Sequence, residues 1–250
     1  MKLAAPVVSI YLMADSDLVD LAEAAVRGGA GLLEVGIPFS DPLADGPTIQ
    51  RAGQRALANG MTTPRALELL AEVRARVAVP LVPMTYASPV MAYGERRFCT
   101  DAAAAGADGL IVPDVPADEA DELAAACADH GLDLVPLLAP TSTDDRIELA
   151  CARAGGFVYL VSVAGTTGAR ERAPERVKGL IERVRPRTSL PLLVGFGIST
   201  PDHARAMLDA GADGVVIGSR AIEVAEEGGA EALEAFVAAI VAAVPPRVAG

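Results

Sequence analysis

Short apolar segments rich in β-forming residues alternate with alanine-rich amphipathic segments along this chain, and that alternation restricts the fold more than any other feature. The apolar segments are nearly continuous in hydrophobic character, which is typical of parallel strands covered on both faces. The predicted strands span residues 7–13, 32–35, 80–84, 109–112, 133–138, 157–162, 191–194 and 214–217. The predicted helices between them span residues 18–26, 64–77, 95–105, 118–129, 144–154, 174–184, 201–210 and 230–243.

A glycine-containing phrase recurs where a predicted helix meets the next strand. It reads Ala-Gly-Ala-Asp-Gly at residues 105–109 and again at 210–214, with Gly-Gly-Ala-Gly at 28–31. The first glycine of each phrase suits the left-handed position that ends a helix. Eight such βα units in 250 residues predict an α/β fold, a single (β/α)8 TIM barrel spanning residues 1–250. The alternative is an open, doubly wound sheet.

Composition excludes several classes of partner. The formal net charge is −12 and basic runs are absent from the sequence, which argues against nucleic acid and anionic membrane surfaces. No apolar run approaches the roughly 18–20 residues that cross a bilayer, and the segment before the first strand is too short for a signal peptide. Three widely spaced cysteines suit a reducing compartment, so a cytoplasmic location is expected.

The scarcity of lysine and histidine removes several mechanisms. Lys2, Lys178, His130 and His203 are the only lysines and histidines, and none lies at the carboxyl end of a predicted strand, where barrels place reactive groups. This argues against Schiff-base, zinc and Ser-His-Asp chemistry. Carboxylates, hydroxyls and backbone amides remain.

Two carboxylates stand out. Glu34 lies within the second predicted strand, where burial of an unpaired charge is costly, so it is either a general acid–base or a structural residue with partners. A long loop follows and ends at Pro47, where an extra helix over residues 48–58 is predicted. Asp41 and Asp45 lie in this loop, either as ordinary turn residues or as partners that the loop brings to Glu34.

Glycine-rich turns after the last two strands indicate a phosphate site. Gly-Phe-Gly-Ile-Ser at 195–199 precedes Thr200, a predicted helix N-cap, and Gly218-Ser219 opens another helical turn. Backbone N–H groups at helix N-termini bind anions, and barrels often hold phosphate at these two loops. Gly-Thr-Thr-Gly at 165–168 could add further amides. The alternative is that these are plain tight turns.

Aromatic and apolar residues near the same ends of the strands could form a flat apolar slot or simply belong to the core. These residues are Tyr11, Tyr86, Tyr159, Phe196, Met84 and Leu138.

The chain resembles the α subunit of tryptophan synthase. The most specific match is residues 33–50, Leu-Glu-Val-Gly-Ile-Pro-Phe-Ser-Asp-Pro-Leu-Ala-Asp-Gly-Pro-Thr-Ile-Gln, which is close to the family signature. Further matches follow in family order at 84–86, 112–116, 159–162, 165–168, 195–199 and 218–219, so that the resemblance covers nearly the whole chain.

This resemblance implies retro-aldol cleavage of indole-3-glycerol phosphate to indole and glyceraldehyde 3-phosphate, without cofactor or metal. It implies that Glu34 protonates indole C3 and takes the proton of the C3′ hydroxyl, while Asp45 accepts a hydrogen bond from the indole N–H. Thr167 would bond to Asp45 when the loops close. The implied phosphate donors are Gly168, Gly197, Gly218 and Ser219, and the implied indole walls are Tyr86, Tyr159, Phe196, Met84 and Leu138.

The resemblance also implies a partner, a pyridoxal-phosphate β subunit in an α2β2 complex of tryptophan biosynthesis. A free-standing lyase, a non-catalytic regulator of a β subunit and a sugar-phosphate isomerase barrel stay open as alternatives. The chain departs from the family pattern in strand 1, which lacks the usual proline and the glycine after Ala14. It also has Ser88 where an asparagine is frequent, near the expected β contact, and Arg220 as an additional residue after Ser219.

Overall fold

Parallel strands surrounded by helices form a closed ring in the computed structural model, which describes residues 1–162, 173–195 and 197–244. The strands are β1 (Val7–Met13), β2 (Leu32–Gly36), β3 (Leu81–Met84), β4 (Gly109–Leu110), β5 (Asp133–Leu134), β6 (Leu137–Leu138), β7 (Val158–Val161), β8 (Leu192–Gly195) and β9 (Gly214–Ile217). The helices are α1 (Leu18–Arg27), α2 (Pro47–Ala58), α3 (Thr63–Arg74), α4 (Ala87–Tyr93), α5 (Glu95–Ala104), α6 (Asp121–Asp129), α7 (Asp144–Arg153), α8 (Ala173–Val184), α9 (Pro201–Asp209) and α10 (Ser219–Ala243). A short 3-10 helix, Arg185–Arg187, follows α8.

The strand order closes the barrel that the sequence predicts. One sheet runs β3-β2-β1-β9-β8-β7-β6, and a second joins β4 to β5. A parallel bridge between Met84 and Ile111 connects β3 to the β4 side. β5 and β6 are successive parts of one barrel position, so the ring is complete and the (β/α)8 prediction is confirmed.

The predicted fifth strand over 133–138 is divided. β5 pairs with β4, whereas β6 pairs with β7, and Pro136 lies between them. Proline has no N–H to donate to a neighbouring strand. The ladder therefore breaks here, although Pro136 still accepts a hydrogen bond from the N–H of Tyr159 at 3.0 Å.

The recurring Ala-Gly-Ala-Asp-Gly phrase is a structural joint at the amino ends of the strands. Asp108 accepts a hydrogen bond from the N–H of Leu81 at the start of β3, and Asp213 does the same for Leu192 at the start of β8. Each carboxylate also pairs with an arginine, Arg74 and Arg185 respectively. The joint thus ties each new strand to its neighbour at the rim opposite the predicted site.

The glycines of the phrase agree with the prediction in two cases of three. Gly106 and Gly211 have φ of +88° and +104°. In the third version it is Gly29, with φ of +99°, that is left-handed, whereas Gly28 has φ of −69°. Gly28 instead allows close packing, because a Cβ there would approach Val237 of α10 to 2.8 Å.

Several helices differ from their predicted bounds. The seven-residue α4 was absent from the predicted pattern, α3 ends at Arg74 rather than at 77, and α6 begins at Asp121 rather than at 118. The last helix begins at Ser219 instead of 230, and it contains Gly229 with non-helical φ of +68° and ψ of −159°. The predicted segment 230–243 is therefore the part of α10 that follows this kink.

Candidate active site

A cavity of about 550 Å³ opens at the carboxyl ends of the strands. It receives side chains from β1, β2, β3, β7 and β9, from the loop after β2, and from the first turns of α2 and α10. Its lining consists of Tyr11, Glu34, Asp45, Gly46, Pro47, Ile49, Met84, Tyr159, Gly197, Ile198, Ser199, Thr200, Val216, Gly218, Ser219, Arg220 and Glu223. Both carboxylates predicted from the sequence and both glycine-rich turns therefore meet in one space.

Glu34 is held inside the barrel wall by β2. Its side chain is only 1% exposed, and Oε1 accepts a hydrogen bond of 3.0 Å from the Ser9 hydroxyl of β1. Oε2 is buried without a hydrogen-bond partner in the described part of the chain. Burial raises the pKa of Glu34 from 4.5 to about 8, although the Ser9 hydrogen bond opposes this rise. Glu34 is therefore mostly neutral at pH 7 and can donate a proton.

Asp45 is brought to the cavity by the loop between β2 and α2. Burial raises the pKa of Asp45 as well, while a hydrogen bond from the Tyr86 hydroxyl lowers it. The Tyr86 hydroxyl oxygen also accepts a hydrogen bond of 3.1 Å from the N–H of Ala44, and Gln50 donates to the Asp45 carbonyl at 2.9 Å. Tyr86 thus fixes the position of this loop relative to β3.

Two tyrosine rings occupy space that glycines on neighbouring strands leave open. A Cβ on Gly36 would overlap the hydroxyl of Tyr11, and a Cβ on Gly195 would overlap the hydroxyl of Tyr159. Burial raises the pKa of Tyr11 and of Tyr159 well above the usual value, and the charge of Glu34 adds to both rises. Both phenols are therefore neutral and form part of the low-dielectric surroundings of Glu34.

The opposite end of the cavity consists mainly of backbone at helix starts. α9 begins at Pro201, and the Thr200 hydroxyl caps it by accepting a hydrogen bond of 3.2 Å from the N–H of His203. α10 begins at Ser219 with Gly218 as its N-cap residue. Gly197 has φ of +80°, a conformation that favours glycine. The N-terminal ends of two helices at one cavity make a suitable site for an anion.

A polar cluster adjoins this end. Arg220 Nη1 lies 3.3 Å from Oε2 of Glu223 and 3.6 Å from Oε1 of Glu227. The Thr48 hydroxyl donates to Oε1 of Glu223 at 3.1 Å, which links the start of α2 to α10. Arg220 is the only cationic side chain among the described residues that line the cavity.

The structure brings together most, but not all, of the residues predicted for the site. Tyr86 contacts Asp45 beside the cavity. Leu138, predicted as an indole wall, is buried in the core in β6 and is not among the lining residues, and Asp41 is exposed outside it. The residues predicted from sequence that line the cavity are Tyr11, Glu34, Asp45, Met84, Tyr159, Gly197, Gly218 and Ser219. Thr167, Gly168 and Phe196 lie outside the described residues.

Sequence reasoning missed Ser9, Ile49 and Glu223. Ser9 carries the same signal as Glu34, a polar residue inside an apolar strand, and could have been found by that rule. Ile49 lies in the first turn of α2 and Glu223 just after the first turn of α10, where an apolar or acidic residue is ordinary. Only their tertiary positions relate them to the cavity.

The described residues contain no group of three or more histidine, cysteine, aspartate or glutamate side chains placed to hold a metal ion. Within the same ranges, every helix is too short or too polar to cross a bilayer.

Comparisons with known proteins agree with the resemblance drawn from the sequence. The family model for the tryptophan synthase alpha chain matches residues 10–244. Tryptophan synthase alpha chains of Methanosarcina barkeri and Roseiflexus castenholzii are 51% and 50% identical over 209 and 211 residues. Each alignment covers 84% of this chain, with 78% and 80% of the respective relative.

Solved structures give the same result. Tryptophan synthase subunit alpha of Legionella pneumophila superposes with a TM-score of 0.87 and 34% identity, covering 95% of this chain and 92% of that one. A chain of the tryptophan synthase complex of Pyrococcus furiosus also gives 0.87 and 34%, covering 96% and 100%. The chain belongs to the tryptophan synthase alpha chain family.

Proposed function

We propose that this chain cleaves indole-3-glycerol phosphate to indole and glyceraldehyde 3-phosphate, as the α subunit of tryptophan synthase. It does so as a single domain, in the cytoplasm. The observation that carries the proposal is the pairing of a buried, largely neutral Glu34 with Asp45 in one cavity. The far end of that cavity offers two helix N-termini to a phosphate. Membership of the family indicates the substrate, which has an indole at one end and a phosphate at the other.

The reaction needs an electron sink, because the carbon–carbon bond between indole C3 and C3′ of the glycerol chain must break. The Glu34 carboxyl supplies it by protonating indole C3, which places positive charge on the ring nitrogen. Asp45 accepts a hydrogen bond from the indole N–H and offsets that charge. The low-dielectric setting formed by Tyr11 and Tyr159 strengthens this interaction.

Bond cleavage then restores the catalyst. Glu34, now a carboxylate, takes the proton of the C3′ hydroxyl, the aldehyde forms, and the electrons of the C3–C3′ bond return to the indole ring. The proton delivered to C3 stays on the product, so one proton is given and one is taken. A group with a pKa of about 8 can perform both steps near neutral pH.

The remaining site residues have binding roles in this proposal. Backbone amides at Gly197, Gly218 and Ser219 hold the phosphate, and Gly168 adds to them. Met84 and Tyr159 contact the indole ring, together with Phe196. Thr167 bonds to Asp45 when the loops close, which excludes water from the reacting atoms.

A β subunit is the proposed partner. Solved relatives include the tryptophan synthase a2b2 complex of Pyrococcus furiosus, with a TM-score of 0.86 to this chain. Two large apolar side chains, Leu43 (85% exposed) on the Asp45 loop and Met91 (68% exposed) on α4, are open to a partner. A β subunit that covers them orders the Asp45 loop and raises the lyase rate.

Indole release by the purified chain tests the proposal. With indole-3-glycerol phosphate we expect indole and glyceraldehyde 3-phosphate in equal amounts, and a faster rate after a β subunit is added. Turnover that a β subunit does not change, with no complex by size exclusion, would indicate a free-standing lyase. Absence of indole under both conditions, together with binding to a β subunit, would indicate a regulator instead.

A further inference from the structure

Ser9 is a polar side chain inside an otherwise apolar strand. β1 reads Val-Val-Ser-Ile-Tyr-Leu-Met, and all seven of its residues are buried. Ser9 is fully buried, and its Oγ donates a hydrogen bond of 3.0 Å to Oε1 of Glu34 on the adjacent β2. A hydroxyl and a carboxyl that are both removed from water each cost free energy unless they are hydrogen-bonded. The pair therefore stabilises both side chains in place.

The two oxygens of Glu34 are in different situations. Oε1 accepts the Ser9 hydrogen bond, whereas Oε2 has no partner within the described ranges although it is buried. An oxygen that accepts a hydrogen bond presents a lone pair, so a protonated carboxyl in this arrangement carries its proton on the other oxygen. The neutral form of Glu34 then has its O–H at Oε2.

We propose that Ser9 is a positioning residue for the acid–base step: its hydroxyl holds Oε1 of Glu34 towards β1 and leaves Oε2 as the oxygen that gives and takes the proton. The inference rests on the proposed role of Glu34 as the acid. Glu34 lines the cavity, and with Oε1 engaged only Oε2 is left for the substrate. Without Ser9 the carboxyl can rotate, and the proton can sit on either oxygen.

The same hydrogen bond acts on the charged form. It stabilises the carboxylate that Glu34 becomes after protonating the substrate, and so it opposes the rise in the pKa of Glu34 that burial causes. Removal of the hydroxyl is thus expected to raise the pKa further. A merely structural serine would not alter how the reaction rate depends on pH.

The pH dependence of kcat in Ser9→Ala tests this proposal. We expect kcat to fall about tenfold while KM changes by less than about twofold, because the ground-state binding groups are untouched. The alkaline limb of the profile, where Glu34 loses its proton, should move up by about one pH unit, the size expected for one hydrogen bond to a charged group. Ser9→Thr keeps the hydroxyl and should keep the limb near its original position.

Ser162→Ala is the matched control. Ser162 is also buried, and its hydroxyl donates to a backbone carbonyl, that of Gly195, at 3.0 Å. Its loss should lower thermal stability to a similar extent as Ser9→Ala and leave the alkaline limb in place. A limb that moves equally in both alanine variants would overturn the proposal.

Infrared spectroscopy provides a readout without turnover. The carboxyl C=O band of Glu34 is the band that disappears in Glu34→Gln, and it should shift to higher frequency and titrate at higher pH in Ser9→Ala. An unchanged band and limb would refute the role of Ser9 while leaving that of Glu34 intact. Full activity of Glu34→Gln would instead refute the proposed function, independently of the result for Ser9→Ala.

Discussion

The two ends of the cavity are built from different parts of the chain. At the acid end, side chains of Glu34 and Tyr11 project from strands and are fully buried, and a carboxyl stays neutral because water is excluded. At the anion end, Gly218, Ser219 and the turn at Gly197 present backbone at helix starts. The first end does chemistry through individual side chains, and the second binds through groups that every residue possesses.

This difference predicts how each end responds to substitution. A single side-chain change at the acid end removes a proton donor or a compensating charge that nothing else in the described cavity can replace. A side-chain change at the anion end leaves the backbone amides in place, so only part of the binding is lost. The largest effects should therefore appear in kcat at one end, and smaller effects in KM at the other.

Glu34→Gln should have the largest effect. The amide is nearly isosteric and its oxygen can still accept the Ser9 hydrogen bond, but it cannot transfer a proton, so kcat should fall by roughly 10²- to 10⁴-fold. KM should change little. Single-turnover indole release and a circular dichroism spectrum matching that of the unaltered protein are the measurements. A residual kcat within tenfold of the original value would refute Glu34 as the acid.

Asp45→Asn should come next, with kcat lowered by about 10²-fold. Asparagine keeps an oxygen that can accept from Tyr86, yet it carries no charge to offset the protonated indole. Asp41→Asn is the matched control, because Asp41 lies on the same loop but is exposed and does not line the cavity. Equal losses of kcat in the two variants would point to disturbance of the loop rather than to loss of a specific charge.

Sequence signals identify the main residues at both ends of the cavity, but they do not identify the contacts between distant segments. Glu34 was found because a charge within an apolar strand demands an explanation, and the helix starts were found because Thr200-Pro201 and Gly218-Ser219 are local signals. The contact of Tyr86 with Asp45 and the hydrogen bond from Thr48 to Glu223 join residues that are distant in the chain. Such tertiary contacts leave no periodic mark.

The fold shows the same limit. Alternation predicts eight barrel positions, but it could not show that the fifth divides at Pro136, because a proline can begin, end or interrupt a strand. The helix Ala87–Tyr93 was missed since it is short and contains Pro89, which the first turn of a helix tolerates. Leu138, which the family resemblance implies as an indole wall, is buried in β6 and is not among the residues that line the cavity.

The stability of the folded chain should depend on pH because Glu34 is buried. Because the pKa of Glu34 is about 8 in the folded chain and lower when unfolded, the folded state binds more protons between these values, and stability falls as pH rises through that window. Each pH unit within it contributes about 1.4 kcal/mol. Glu34→Gln lacks this dependence, so its melting temperature should exceed that of the original protein at pH 8 and approach it near pH 5.

Thermal melts of both proteins at pH 5, 6, 7 and 8 make the measurement, with Asp41→Asn as a carboxyl control at an exposed position. The gap between Glu34→Gln and the original protein should widen with pH, whereas that of Asp41→Asn should not. A constant gap would mean that Glu34 is already ionised throughout this range, and the contrast between the two ends of the cavity would lose its electrostatic basis.

The smallest effect is expected at the anion end, from Arg220. Its guanidinium is partly exposed and already paired with Glu223 and Glu227, so it adds only modestly to what the backbone amides supply. Arg220→Ala should raise KM for the phosphate substrate, and the inhibition constant of inorganic phosphate, by about three- to tenfold, with kcat unchanged. Glu223→Gln keeps an acceptor for Thr48 but removes a negative charge beside the anion, and it should lower both constants. If the two variants shift KM and the inhibition constant in opposite directions, and high salt reduces both shifts, the phosphate binds at this end and responds to the nearby charges. If both variants shift the constants in the same direction, the Arg220–Glu223 pair acts only by stabilising the conformation at the start of α10.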